Sequence, residues 1–240
     1  MTITLPQAPV ALVTGATRGI GRSLAFALGR AGWAVGVCSR SGERVGELVA
    51  ELQAAGVAAA GAAGDVGVEE DVARIHATVE GSLGPVETLV NNAGILVGKR
   101  IEELSLEDWD ATMATNLRSL FLMTRVVLPG MRARGSGDVV NVASLAGRNG
   151  FVGGTAYCAS KHAVLGFSKA LMAEVRKDGI RVIAICPGSV DTEMLQDQPH
   201  LPSNLARALH ADDVAETVLH ALRLPRRAML SEIDIRPSNP

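Results

Sequence analysis

The chain has 240 residues, 48% of them hydrophobic and 20% charged, so it has enough apolar material for one large core, and intrinsic disorder is excluded. Lysine and arginine number 23 against 25 aspartate and glutamate residues, which gives a net charge of −2 and no basic excess to hold a nucleic acid. Aromatic residues make up only 3%, too few for platforms on which bases stack.

Short apolar runs alternate with longer segments of helical spacing along the chain. Helices are expected at Ile20–Ala31, Val45–Ala55, Ser105–Arg132 and Thr155–Lys177. The apolar runs are continuous rather than alternating, as in parallel strands that are covered on both faces. The pattern predicts an α/β fold in a single domain over residues 1–240. The runs that predict strands are Val10–Val13, Ala34–Ser39, Val57–Val66, Val86–Asn91, Asp138–Ser144, Arg181–Cys186 and Met229–Ile235.

The N-terminus and the cysteines bear on the compartment. The first residues lack the basic region of a signal peptide, and no run of about 18 apolar residues predicts a membrane span. Cys38, Cys158 and Cys186 are odd in number and have no C-x-x-C spacing, which favours a reducing compartment over a disulfide scaffold or a zinc site. We therefore expect a cytoplasmic protein without a metal.

The first predicted strand leads into a glycine-rich turn. Gly15, Gly19 and Gly21 lie between this strand and a helix, where glycine lets a pyrophosphate approach the backbone and the helix N-terminus attracts its charge. The spacing is G-x-x-x-G-x-G, so the dinucleotide fingerprint G-x-G-x-x-G is not met literally. An ordinary strand–turn–helix is the alternative interpretation.

The end of the second predicted strand bears on which dinucleotide would bind. NAD sites usually place an acidic side chain about 20 residues after the loop, where it binds the ribose 2′-hydroxyl. Here Arg40 follows the strand, and the first carboxylate is Glu43. Arg40 and Arg18 together suit a 2′-phosphate, although both arginines could instead be solvated surface residues. We predict NADP(H).

Tyr157 is the single tyrosine of the chain, and Lys161 follows it at i+4. The two side chains would share one helix face, with Cβ atoms about 5–6 Å apart. An ammonium beside a phenol is expected to lower the pKa of the phenol, which would suit Tyr157 to act as an acid toward a ketone oxygen and as a base in reverse. Ser144 closes the preceding predicted strand, and ligands bind at strand carboxyl ends in such sheets.

Together these motifs resemble the short-chain dehydrogenase/reductase family over essentially the whole chain. The resemblance implies a Rossmann-type, doubly wound fold with a seven-stranded parallel sheet. It also implies reversible hydride transfer between a nicotinamide cofactor and a carbonyl or secondary alcohol. The motifs that carry the resemblance are Thr14–Gly21 (TGATRGIG), Asn91–Gly94 (NNAG), Asn116, Ser144, Tyr157-x-x-x-Lys161 and Pro187-Gly188.

The resemblance implies a role for each matching residue. Tyr157 would be the proton donor, and Ser144 would hydrogen-bond the substrate carbonyl. Lys161 would tune Tyr157 and hold the nicotinamide ribose, while Asn116 would hold a water that relays protons. Thr14 and Asn91 are taken as structural supports. The other implied cofactor contacts are Gly15, Thr17, Arg18, Gly19, Ile20, Gly21 and Arg40; Asp65 and Val66 at the adenine; Asn92, Ala93 and Gly94 along the adenosine ribose; and Val190 and Thr192 near the carboxamide.

The substrate is expected to be a small molecule bound by loops that differ between proteins. The segment Ser189–Ala208, with Met194, Leu195, His200 and Leu205, would form much of that pocket. Ile95–Val97, Leu145, Arg148 and Phe151 would complete it, with Arg148 expected to face water. The ending Ser231–Pro240 lacks the Thr-Gly…Asp-Gly-Gly stretch of many members, including 3-ketoacyl-thioester reductases. It is similar to members that act on small hydroxy acids or varied ketones.

The resemblance also implies a homodimer or homotetramer built on the two long helices. Two other interpretations stay open at this stage. One is a regulator that binds NADPH without turnover, although a sensor has no need of a proton donor. The other is a relative of the enoyl reductases, which would need a wider spacing between the tyrosine and the lysine.

Overall fold

The computed structural model describes residues 8–198 and 205–239. Within them, seven strands form one sheet in the order β3-β2-β1-β4-β5-β6-β7, and all neighbouring strands are parallel. The Rossmann-type, doubly wound prediction is thereby confirmed. The strands are β1 (Val10–Thr14), β2 (Ala34–Ser39), β3 (Ala59–Ala63), β4 (Val86–Asn91), β5 (Gly137–Val142), β6 (Ile180–Pro187) and β7 (Glu232–Ile235).

Helices cover both faces of the sheet. Helices α1, α2 and α8 bury residues such as Leu28, Leu48 and Val218 in one core, and α3, α5 and α6 bury others such as Ile75 and Met123 in a second. Among the described residues, no helix is long and apolar enough to cross a membrane. The helices are α1 (Gly19–Arg30), α2 (Gly42–Ala54), α3 (Glu69–Leu83), α4 (Leu106–Met113), α5 (Ser119–Arg134), α6 (Thr155–Val175), α7 (Glu193–Gln196) and α8 (Ala211–Arg223).

The sheet order reverses at β1, which pairs with β2 on one side and β4 on the other. The loops after β1 and β4 therefore diverge and leave a crevice at the carboxyl ends of the strands, where such sheets bind ligands. Thr14 joins the two loops, because its Oγ1 accepts hydrogen bonds from the Asn92 and Ala93 amides at 3.0 Å. Thr14 is thus a structural support, as predicted.

Several strand ends differ from the prediction because local turns stop the ladder. The predicted run Val57–Val66 is a strand only over Ala59–Ala63, since the Val57 amide bonds back to α2 and the Asp65 carboxylate accepts from the Gly67 amide in a turn. Strand β5 ends at Val142 because the Ser144 hydroxyl accepts from the Ala146 amide and begins a short 3₁₀ turn. Strand β7 begins at Glu232 rather than Met229.

The predicted helix Ser105–Arg132 is interrupted. It begins as predicted with a capping box, in which the Ser105 hydroxyl and the Asp108 carboxylate bond each other's backbone amides. A single wide π-type turn at Ala114–Arg118 then separates α4 from α5. This turn contains Asn116, whose side chain bonds both backbone groups of Ile95. Such wide turns often occur at functional sites.

Candidate active site

A cavity of about 760 Å³ lies at the carboxyl ends of the strands. It brings together most of the residues that the sequence predicted for a dinucleotide and its substrate. Gly21 and Asn116 are absent from its lining. The predicted residues that line it are Gly15, Thr17, Arg18, Gly19, Ile20, Arg40, Asp65, Val66, Asn92, Ala93, Gly94, Ser144, Tyr157, Lys161, Val190 and Thr192.

The glycine loop packs too tightly for side chains. A Cβ on Gly21 would lie 2.4 Å from the Gly15 carbonyl oxygen and 2.5 Å from Asn92 Nδ2. Only glycine at position 21 therefore allows the loop to pack this closely against α1. Gly15 has φ +62°, which favours glycine, and a Cβ there would meet Ala93 Cα at 2.9 Å. Asn92 fixes the same loop by donating to the Thr14 and Gly15 carbonyls. The backbone of the loop is accessible from the cavity at the N-terminus of α1, a position that suits a pyrophosphate.

Three of the arginines that line the cavity follow β1 and β2. Arg40 is exposed at the end of β2, and Arg18 makes a long ion pair of 3.8 Å with Asp197. Arg44, which the sequence analysis missed, also lines the cavity, together with Ser39 and Ser41. Its position at i+4 from Arg40, in the first turn of α2, was the available signal. Three guanidinium groups in one region favour a ligand with several negative charges.

Ser144, Tyr157 and Lys161 converge on the opposite part of the cavity. Ser144 follows β5 and shares a hydrogen bond with the Tyr157 hydroxyl. Tyr157 and Lys161 lie one turn apart on α6, and Lys161 Nζ is 5.7 Å from the centre of the Tyr157 ring. Lys161 is 4% exposed and donates to the Val142 carbonyl at 2.8 Å. These side chains form a compact polar group at the end of β5.

Burial controls the protonation of this group. Burial raises the pKa of Tyr157, and the hydrogen bond with Ser144 only partly opposes this effect. The expectation that Lys161 lowers the pKa of Tyr157 is therefore wrong, because the ammonium bonds to the Val142 carbonyl and desolvation of the phenolate dominates. The same burial lowers the pKa of Lys161 to about 8. A phenol that stays protonated at neutral pH can serve as a proton donor.

Asn116 lies behind the cavity. Its Oδ1 accepts from the Ile95 amide at 2.8 Å, and its Nδ2 donates to the Ile95 carbonyl and to Ser160 Oγ. A Cβ on Gly94 would lie 3.4 Å from Asn116 Oδ1 and 3.8 Å from Lys161 Nζ. Glycine at position 94 thus leaves space between the amide and the ammonium, where a water would have two polar partners.

The substrate end of the cavity is largely apolar. Six of the residues predicted individually for the pocket line it, and Ser189, Val190, Thr192 and Glu193 of the predicted segment do so as well. Val97, Arg148 and Leu205 do not line it, and His200 lies outside the described residues. Arg236 and Pro237, which follow β7, also line the cavity and were missed because nothing local in the sequence marks them. The six predicted residues are Ile95, Leu96, Leu145, Phe151, Met194 and Leu195.

Arg148 is exposed and does not line the cavity, which confirms the expectation that it faces water rather than the substrate. Its Nε donates to Asp234 at 2.9 Å and its Nη2 to Glu232 at 2.5 Å, both on β7. Arg148 therefore ties the turn that follows Ser144 to the edge strand of the sheet. The sequence could not predict these ion pairs, because the partners lie more than 80 residues apart.

Comparison with known proteins identifies the family. The sequence model of the family described as short chain dehydrogenase matches residues 9–201. This chain belongs to that family. The match ends before α8 and β7.

Similar proteins of the short-chain dehydrogenase family include several reductases. A putative ketoacyl reductase of Streptomyces coelicolor is 46% identical over 187 residues, 77% of this chain and 72% of that protein. The 3-oxoacyl-(acyl-carrier-protein) reductase FabG of Pseudomonas aeruginosa is 36% identical over 219 residues, 88% of this chain and 89% of that protein. The chain is thus an oxidoreductase, which is the class that these relatives share.

Two solved structures of the family are similar over nearly the full chain. A variant of actinorhodin polyketide ketoreductase with NADPH has a TM-score of 0.89 at 37% identity and covers 96% of each chain. An alcohol dehydrogenase from Thermococcus sibiricus, complexed with 5-hydroxy-NADP, has a TM-score of 0.89 at 29% identity and covers 98% of each chain.

The buried Lys161 should cost this dehydrogenase stability. Because the pKa of Lys161 falls from an ordinary 10.5 to about 8, the unfolded state holds the proton more tightly than the folded state. We expect Lys161→Met to raise the free energy of unfolding at pH 7 by roughly 1–3 kcal/mol. This value allows for the hydrogen bond to the Val142 carbonyl that the variant loses. Between pH 8 and 10.5 the folded wild type loses the proton while the unfolded chain keeps it. Its stability therefore rises with pH, and the advantage of the variant shrinks.

Urea unfolding at pH 7, 9 and 10.5 would measure this difference. Lys169→Met on the same helix is the matched control, because Lys169 is 60% exposed and should show little change. A Lys161→Met protein that is less stable than wild type by the same amount at every pH would contradict the expectation.

Proposed function

We propose that this protein reduces ketones with NADPH and, in reverse, oxidises the corresponding secondary alcohols. The observation that carries the proposal is the meeting of Ser144, Tyr157 and Lys161 in one cavity with the open backbone of the glycine loop. The ketoacyl reductases among its relatives and the NADPH-bound structural neighbour support it.

The residues that line the cavity suit NADP(H). The glycine loop and the N-terminus of α1 would hold the pyrophosphate, and Asp65, Val66 and the Asn92–Gly94 segment would hold the adenosine. Val190, Thr192 and Lys161 would hold the nicotinamide riboside. NADPH bound in this way supplies a hydride to the substrate carbonyl carbon.

Tyr157 would complete the reduction by donating its hydroxyl proton to the carbonyl oxygen. Ser144 would donate a hydrogen bond to the same oxygen, which stabilises the charge that develops there. Hydride and proton together convert the ketone into the secondary alcohol. Lys161 and the space beside Asn116 and Gly94 would return a proton from solvent to the phenolate. In the oxidative direction, Tyr157 would accept the proton instead.

Arg40 should determine the preference for NADPH over NADH. A charge-assisted hydrogen bond from its guanidinium to the 2′-phosphate is worth roughly 1.5–3 kcal/mol, or about 10- to 100-fold in affinity. We expect Arg40→Ala to reduce the ratio of kcat/KM for NADPH to that for NADH by this factor. Arg30→Ala, in the last turn of α1, should leave the ratio unchanged. Equal kcat/KM for the two cofactors in the wild type would contradict the assignment.

A substrate screen tests the proposed activity directly. Ketones, diketones, 3-ketoacyl thioesters and hydroxy acids would be assayed in both directions by NADPH absorbance. Turnover of at least one ketone is the expected result. If NADPH binds but none of these substrates is turned over, a regulator that senses NADPH becomes the better account.

We further propose a homodimer or homotetramer built on α4, α5 and α6, in the cytoplasm. Phe121 on α5 is 45% exposed, which leaves apolar surface for a second copy. Cys38, Cys158 and Cys186 are free and buried, in keeping with a reducing compartment. Size-exclusion chromatography with light scattering should give the mass of at least two chains, and a monomer at all concentrations would contradict the assembly.

A further inference from the structure

The edge strand β7 carries a charged cluster beside the substrate end of the cavity. Arg148 binds Glu232 and Asp234, and Lys169 Nζ lies 3.2 Å from Glu232 Oε1. Arg236 Nη2 lies 3.3 Å from Asp234 Oδ2. Three basic side chains thus share two carboxylates, and the cluster has one positive charge left over.

That remaining charge is best placed on Arg236. The carboxylate of Asp234 is shared, and its shorter bond, at 2.9 Å, goes to Arg148. The longer contact, at 3.3 Å, is the one to Arg236, whose side chain is 60% exposed. A guanidinium has five donors, and this contact engages only one nitrogen of the group. Arg236 is also the member of the cluster that lines the cavity.

Arg236 lies close to the proposed reaction centre. A Cβ on Gly188 would be 3.5 Å from Arg236 Cα and 3.3 Å from the side chain of Leu145, the residue after Ser144. The Ser144 hydroxyl in turn donates to the Pro187 carbonyl at 3.4 Å. The backbone of Arg236 therefore packs against the same short segment that positions Ser144.

The two acidic side chains of the described lining, Asp65 and Glu193, are directed elsewhere. Glu193 faces the glycine loop, since its Oε2 lies 3.8 Å from the position of a Cβ on Gly19. Asp65 accepts from the Gly67 amide in a turn. Around Arg236 the lining is mainly apolar, with Leu145, Pro187 and Pro237 nearby. A neutral apolar ketone would gain nothing from a cation here, whereas an anion would.

We infer that Arg236 binds an anionic group of the substrate, so that the ketones reduced here carry a carboxylate or a phosphate. This inference rests on the proposed ketone reduction. It assigns a role to the segment that follows β7, which lies beyond the residues that the family model matches. The shared chemistry is a charge-assisted hydrogen bond between a guanidinium and an oxyanion.

Matched substrate pairs test this inference. Acetoacetate would be compared with its neutral ethyl ester, and acetoacetyl-coenzyme A with the neutral N-acetylcysteamine thioester. The readout is the ratio of kcat/KM for the anionic member to that for the neutral member, in wild type and in Arg236→Gln. We expect the ratio to fall about 10- to 100-fold in the variant, mainly through KM, and Arg236→Lys to restore part of it. A fall in the ratio for acetoacetate would identify the anion as a carboxylate, and a fall for acetoacetyl-coenzyme A would identify it as a phosphate.

Arg223→Gln is the matched control. Arg223 is exposed in the last turn of α8 and does not line the cavity, so the ratio should stay at its wild-type value. An unchanged ratio for both pairs in Arg236→Gln would overturn the inference while leaving ketone reduction in place. If the wild type reduced none of the four compounds or any other ketone, the proposed function itself would fail.

Discussion

Replacing Tyr157 by phenylalanine should lower kcat for ketone reduction by about 10²- to 10⁴-fold, the usual contribution of a positioned general acid. The change removes only the hydroxyl, so the ring can keep its tilted contact with Phe151 at 6.3 Å between ring centres. NADPH binding should therefore persist. Single-turnover absorbance would measure the chemical step, and cofactor fluorescence would measure binding.

His162→Gln provides a control on the same helix. His162 is exposed, and its ring bonds only to the Cys158 carbonyl one turn away. The variant should retain wild-type kcat. A Tyr157→Phe enzyme with a near-normal rate would remove the phenol from the chemistry. Loss of NADPH binding in the same variant would instead point to a structural role.

Replacing Asp138 by alanine should destabilise the fold by about 3–5 kcal/mol, the usual cost of leaving a buried charge unpaired. Asp138 on β5 accepts from Arg181, its ladder partner on β6, and from Arg226 after α8. The side chain of Arg181 is only 6% exposed. Its other donors bond to the Leu222 and Leu224 carbonyls at the end of α8, so the pair also anchors that helix.

The melting temperature reports this loss. A chain of this length shifts by about 2–4 °C per kcal/mol, which gives a decrease of roughly 6–20 °C. Asp178→Ala is the control, because Asp178 pairs with Arg132 at the surface, where such pairs contribute at most about 1 kcal/mol. Equal decreases in the melting temperatures of the two variants would contradict the claim that the buried ion pair contributes more to stability than the exposed one.

Much of the fold could be predicted from the sequence because its strands are buried on both faces. Strands β2 and β4 have the predicted bounds, and β1 differs by one residue, since continuous apolar runs leave little ambiguity. Errors occur where a side chain accepts a hydrogen bond from a nearby backbone amide and ends an element, as at Ser144 and Asp65. The wide turn at Asn116 was also missed, because the hydrogen bonds of its side chain are made with Ile95, 21 residues away in the sequence.

The site could be predicted where its residues form local motifs. The glycine loop, Tyr157 and Lys161 are each recognisable within a few residues of sequence, and the structure places them on one cavity. The ion pairs of Arg148 could not be predicted, because they are made with β7, more than 80 residues away in the sequence. The pKa of Tyr157 was misjudged for a related reason. Spacing shows which charge is near, but only the packed structure shows that burial outweighs it.

A crystal structure with NADP⁺ and an unreactive substrate analogue tests the central claim most directly. The account predicts that the oxygen of the analogue lies within about 3 Å of both the Tyr157 and Ser144 hydroxyls, with the nicotinamide ring beside it. A phenol that is directed away from that oxygen, with a different side chain in its place, would contradict the account.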